Sequence, residues 1–261
     1  MSNVADLPRA WFVIGDRFAG FGIHSGVRTV NQFLKEVRED MSFRSGSHVV
    51  FLGQGISRYE WDLVRAEVSR RNSDGHIWIQ DYDLRLSGRD EVHKSGEANV
   101  LIANLRRDHD GTCRADLRIH NDNELLLDHQ SGQHVQGMIA VEASRQMFLG
   151  VTERFHLPGE SRGSYFFVIT AIETEFKSFL FPLPAEIEYT VLEFTDSEPT
   201  KLSFTAQISI RQADAPTSVT RVEFVAFDLS VISEKEHQRA ARVVERMRAQ
   251  ACDTAAELQI A

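Results

Sequence analysis

The stretch LLLDHQSGQHVQGMIAVEASRQMFLG, residues 125–150, gathers the side chains best suited to chemistry. Glu142 follows Val135, Met138 and Ile139 at helical spacing, and Leu149 lies seven residues on. Its carboxylate therefore falls inside an apolar stripe. Arg145 and Gln146 sit at i+3 and i+4, on the same helix face. A carboxylate in such a setting is costly unless it is paired or hydrogen-bonded. Two readings stay open. One is a structural Glu142–Arg145 ion pair that orients the helix; the other is a polar catalytic group facing a substrate tunnel.

His129 and His134 flank the loop leading into this helix. Histidine transfers protons near neutral pH, so either one could join Glu142 in acid/base work. The plainer reading is one helix-capping and one solvated histidine. Gly137 suits close helix packing or close backbone approach to a ligand. Free N–H groups at a helix start could hold a thioester oxygen. Glu142, Arg145, His129 and His134 are thus the candidate catalytic residues, and Gly137, Met138 and Gln146 the candidate substrate-binding ones.

The elements that must position these groups are legible as patterns. Residues 134–156 are apolar almost all round, which marks a helix buried on most sides. Before it, Cys113, Ala115, Leu117 and Ile119 alternate with polar residues, and Asp110-Gly111 signals a hairpin to the run at 100–105. After it, residues 164–176, 186–194, 202–211 and 218–231 read as strands. A hairpin, a long buried helix and a run of antiparallel strands predict a sheet wrapped around a central helix, the hotdog architecture.

The chain ahead of this region has a different rhythm. WFVIGD (11–16), HVVFLG (48–53) and HIWIQD (76–81) read as strands, with amphipathic helices at 27–40 and 60–71 between them. That is a βαβαβ pattern with a small parallel sheet. The expected fold is α+β: a small α/β domain at 1–84, a polar linker at 85–97, a hotdog at 98–232 and a C-terminal surface helix at 233–261. Ser233 and Glu236 have capping-box spacing for that last helix. Gly53-Gln54-Gly55 lacks the third glycine of a dinucleotide fingerprint, and no P-loop is present. The small domain therefore reads as an accessory or docking unit, and neither cofactor nor metal is expected.

With 261 residues, a net charge of −9 and two cysteines, the chain fits neither a disulfide scaffold nor broad nucleic-acid binding. It has no apolar run of membrane-spanning length. Its start lacks the basic flank and apolar block of a signal peptide, so a reducing, cytoplasmic setting is expected.

Read whole, D-H-x4-H-V-x-G-M-x3-E-A-x-R-Q over residues 128–146 resembles the signature of the A-factor biosynthesis (AfsA-type) hotdog family. Val92-His93-Lys94, followed by NVLIAN, resembles the start of that family's domain. The resemblance covers roughly residues 92–231. The helix is more distantly similar to β-hydroxyacyl-ACP dehydratases, keeping the spacing of Gly137, Glu142 and Gln146 but not the histidine position or the loop prolines.

The resemblance implies a homodimer with a composite tunnel, since well-known members carry two such units and this chain carries one. It also implies transfer of a β-ketoacyl group from an acyl carrier protein or coenzyme A thioester onto a small hydroxylated or amine acceptor, in butyrolactone-like signal or secondary-metabolite synthesis. Glu142 would take the acceptor's proton, Arg145 would hold Glu142 or bind an anion, and His129 or His134 would protonate the leaving thiol. A dehydratase or thioesterase on the same fold is the first alternative. A non-catalytic acyl- or lactone-binding protein or scaffold is the second.

Overall fold

The computed structural model describes residues 7–39, 43, 46–72, 75–80, 84–127, 132–157, 163–198 and 200–260. Two sheets divide it. The first is parallel and contains β1 (Arg9–Ile14), β2 (Val27–Thr29), β3 (His48–Leu52) and β4 (Ile77–Ile79), in the order β2-β1-β3-β4. Helices α1 (Val30–Glu39) and α2 (Arg58–Arg71) connect its strands. Val30, Phe33, Leu34 and Val37 recur at helical spacing and bury one face of α1. Ser57 starts α2 with a capping box: its hydroxyl accepts from Glu60 N, and the Glu60 carboxylate accepts from Ser57 N.

Where a helix was expected from residue 27, the first three residues instead pair with β1. The β-branched Val27 and Thr29 suit a strand, and period alone does not separate three such residues from the start of a helix.

The second sheet is antiparallel. Its strands are β5 (Ile102–Arg107), β6 (Cys113–Leu117), β7 (Tyr165–Phe176), β8 (Glu186–Glu198), β9 (Lys201–Gln212) and β10 (Ala215–Asp228), in the order β5-β6-β8-β9-β10-β7. A short helix, α3 (Glu124–Leu127), precedes the long α4 (Gly137–Phe155), and α4 touches every strand of this sheet. This is the expected hotdog. Ile139, Ala143, Met147 and Val151 are buried along α4, and Phe148 stacks on Phe224 with ring centroids 4.4 Å apart. Truncating such a phenylalanine to alanine removes roughly 3–5 kcal/mol.

Two expectations need correction. The polar segment 85–97 is packed rather than free: Leu86 bridges Ala103, Ser87 N donates to Ile102 O, and Val92 lies in the core. Helix α5 (Leu229–Ile260) begins before the proposed cap, so the Ser233 hydroxyl lies inside it and donates to Leu229 O. Apart from its start, α5 is exposed along its described side chains. Among the described residues no helix is long and apolar enough to cross a membrane.

The two sheets are stitched together through the loop after β3. Gln54 Nε2 donates to Leu117 O at 2.9 Å, and its amide oxygen accepts from Ile119 N at 2.8 Å. Gly55 N donates to Ile119 O, and Gln54 N to Pro182 O. Gly55 has φ +78°, and a Cβ added to Gly15 would fall 1.8 Å from Gly55 O. The loops following β1 and β3 thus press backbone against backbone, which only glycine permits.

Candidate active site

Helix α4 presents Met138, Glu142 and Arg145 toward its open side, since i, i+4 and i+7 share a face. The apolar majority of its residues faces the sheet, and this fixes which way the polar ones point. The Glu142 side chain is 18% exposed. Three donors converge on one of its oxygens. Lys94 Nζ lies 2.7 Å from Oε1, Gln146 Nε2 3.1 Å and Arg145 Nη1 3.2 Å. Oε2 has no partner among the described residues. One oxygen is therefore fixed and the other is left available.

Gln146 is completely buried, and its amide is fully committed. Oε1 accepts from Leu101 N at 2.7 Å, while Nε2 donates to Asn99 O at 2.8 Å and to Glu142. Expected to contact substrate, it instead holds the Glu142 carboxylate in place. A buried amide with every group bonded resists rotation, and that makes it a rigid support.

Lys94 is the residue that spacing missed as part of this cluster. It stands 48 positions before Glu142, in the polar segment. His93, just before it, has φ 53°. That left-handed backbone is uncommon for a residue with a side chain. It splays two successive side chains onto two carboxylates of α4: Lys94 onto Glu142, and His93 Nε2 onto Glu153 Oε1 at 3.2 Å. Glu153 is entirely buried, and its second oxygen accepts from Gly163 N at 3.2 Å.

The rest of the predicted constellation lies elsewhere. A cleft of about 370 Å³ opens at the start of α4, walled by His134, Gly137, Phe176, Phe179 and Ser218 among others, and Glu142 is not part of its wall. No side chain caps this end of α4; the Gly137 and Met138 N–H groups have no partner among the described residues. The His134 ring sits 4.9 Å from Phe179. A Cβ on Gly137 would meet the Phe176 ring at 2.9 Å, so close packing explains this glycine. The Ser218 hydroxyl is buried without a partner among the described residues, a further polar group that no spacing in the chain singles out. Met138 is exposed. His129 lies outside the described residues.

Ionisable groups outside this cluster also respond to burial. Burial pushes the His156 ring, at the C-terminal end of α4, below the ordinary histidine range, and Arg107's charge adds to this. Burial likewise pushes Arg118 down to about 10, against the favourable charge of Glu60.

No curated protein matches the chain. Among solved structures it is similar to a mutant thioesterase from Pseudomonas aeruginosa, 11% identical over 48% of this chain and 81% of that one, with a TM-score of 0.35. It is also similar to a thioesterase from Haemophilus influenzae, 12% identical over 57% and 94%, with a TM-score of 0.37. Likeness at that level carries no argument about activity. The model of the A-factor biosynthesis hotdog domain, AfsA, matches residues 83–228. This match begins at the packed polar segment, takes in Lys94 and all of α4, and ends with β10. The chain belongs to the A-factor biosynthesis hotdog domain family.

Proposed function

We propose that this protein transfers a β-ketoacyl group from a carrier-bound thioester to a small hydroxylated or amine acceptor. The observation that carries the reading is the asymmetry of Glu142: Oε1 anchored by Lys94, Arg145 and Gln146, Oε2 unpartnered among the described residues on a partly open face. A general base must be held rigidly and still reach the proton that it removes. In this reading the acceptor O–H gives its proton to Glu142 Oε2 as its oxygen bonds to the thioester carbonyl carbon. The N–H groups of Gly137 and Met138, at the cleft that a second copy would join to the Glu142 face, stabilise the resulting oxyanion. Collapse breaks the C–S bond, and the leaving sulfur takes a proton from His134 or from Glu142.

This reading needs a second copy of the chain. Strand β7 is the edge of its sheet and is exposed along much of its length, with Phe166, Ile169, Ile172 and Phe176 open to solvent. A long apolar edge strand is a site for pairing with another strand. Pairing β7 with β7 of a second copy would cover these residues and Met138. It would also roof the surface between the α4 cleft and Glu142, giving an acyl chain an apolar path.

Mass spectrometry of the purified protein with β-ketoacyl thioesters and candidate acceptors tests the proposal. Acyl transfer that depends on the acceptor and is lost in Glu142→Gln supports it. Release of free acid with water alone makes the protein a thioesterase instead. Retention of ligand without turnover makes it a binder.

A further inference from the structure

Between the two domains, away from Glu142, lies a cavity of about 530 Å³. Helix α2 forms one wall through Arg58, Trp61 and Arg65; the other carries Arg118 and His120, which follow β6. Arg58, Arg65, Arg85 and Arg118 border it against only Asp62 and Glu97, so its lining is cationic.

Arg118 is the most unusual of these groups, at 8% exposure. Its guanidinium donates to Ile119 O at 2.7 Å and to Ile56 O. Those carbonyls aim the fork without neutralising it, and no carboxylate lies within ion-pair distance among the described residues. A buried charge left without a counter-charge is expensive. The Trp61 indole Nε1 is also buried, with no acceptor among the described residues. Arg58 is exposed and makes no hydrogen bond or ion pair among the described residues.

His120 adds a donor. Its Nδ1 accepts from Asp122 N at 3.0 Å. Burial, then Arg118's charge, pushes the ring below the ordinary histidine range. The neutral ring with Nδ1 accepting carries its proton on Nε2. The cavity thus offers a surplus of donors and positive charge. Leu52, Leu86 and Val100 supply an apolar part of its lining.

We propose that this cavity binds a small organic phosphate, its phosphoryl oxygens taken by Arg118, Arg58 and the Trp61 and His120 N–H groups, and its apolar body held against Leu52, Leu86 and Val100. Arginine forks match phosphoryl oxygens, and donors arriving from two domains suit a group with three acceptor oxygens. The ligand supplies the close counter-charge that Arg118 lacks, since Glu60 acts on it only from beyond ion-pair distance among the described residues. It also bridges α2 to the hotdog domain.

Titration calorimetry on the full chain at fixed ionic strength tests this with phenyl phosphate, inorganic phosphate and benzoate. Phenyl phosphate is expected to bind saturably, about tenfold more tightly than inorganic phosphate because its ring buries apolar surface. Arg58→Ala is expected to weaken it about tenfold, the scale of one charge-assisted hydrogen bond. Arg118→Lys, which loses the fork, is expected to weaken it further. If Arg118→Lys does not fold, the exposed Arg58 still decides the matter. No saturable binding of phenyl phosphate, or binding indifferent to Arg58→Ala, overturns the proposal. Equal affinity for benzoate overturns the phosphoryl assignment, and equal affinity for inorganic phosphate overturns the role of the apolar wall.

Discussion

The two carboxylates of α4 differ in the one way that matters for chemistry. Glu142 and Glu153 lie about three helical turns apart and are met by two neighbouring residues, Lys94 and His93. Glu153 is sealed, and both of its oxygens are bonded, one to His93 and one to Gly163 N. Among the described residues Glu142 has all of its partners on Oε1 and keeps Oε2 open. A carboxylate satisfied on both oxygens ties elements together; one satisfied on a single oxygen is oriented and still able to accept a proton. Ion pairing by itself therefore does not separate structure from function on this helix. The distribution of partners over the two oxygens does.

Glu142→Gln should lower turnover by about 10²–10⁴-fold, the usual worth of a general base, and leave the melting temperature nearly unchanged. Full activity in that variant would make Glu142 a structural tie like Glu153. Glu153→Ala should do the reverse. Leaving His93 and Gly163 N without their acceptor should cost about 3 kcal/mol of stability, read by urea unfolding, with normal turnover per folded molecule. An unchanged unfolding midpoint would show that Glu153 binds nothing together.

Lys94→Met sharpens the comparison. It should reduce kcat about tenfold through loss of one charge-assisted bond to Glu142, with KM little changed and Lys94→Arg restoring part of the loss. A loss of stability without a loss of kcat would place Lys94 with His93 as a structural tie. The smallest effect concerns His156, next to Glu153's end of the helix. Its ring is pushed below the ordinary value of 6.5 in the folded chain, mainly by burial. As pH falls past 6.5 the unfolded chain takes up a proton that the folded chain resists. Stability should then decline on acidification toward pH 5, and His156→Gln should flatten the slope; an unaltered slope would mean that other groups set it.

The loops of the small parallel sheet give a second contrast. Loops at the carboxyl ends of parallel strands are the usual ligand positions. Here the loops after β1 and β3 are closed by the Gly15–Gly55 contact, and Gln54 spends its amide on Leu117 and Ile119 of the hotdog domain. The missing third glycine was consistent with this, but the use of the second loop as a seam was not readable from it. The cavity beside α2 is walled by side chains rather than by glycine backbone.

Periodicity exposed Glu142, Arg145 and Gln146 as neighbours, because a helix fixes i+3 and i+4 locally. It failed for Lys94, since no local rule links residues 48 apart and a polar run bounded by glycines looks like a connector. It failed also at Ser233, where a sound local cap pattern was overridden by a helix continuing directly from β10. His134 and Gly137 were grouped with Glu142 by proximity in sequence, yet they border a separate cleft at the helix start.

The order of residue types settled the hotdog architecture, the buried central helix and the polar trio upon it, because hydrophobic period and helical spacing act over a few residues. Which oxygen of Glu142 stays open, which carboxylate is sealed, and where unneutralised Arg118 meets empty space were decided only when distant segments packed, since burial and charge pairing depend on neighbours that the chain brings together solely by folding.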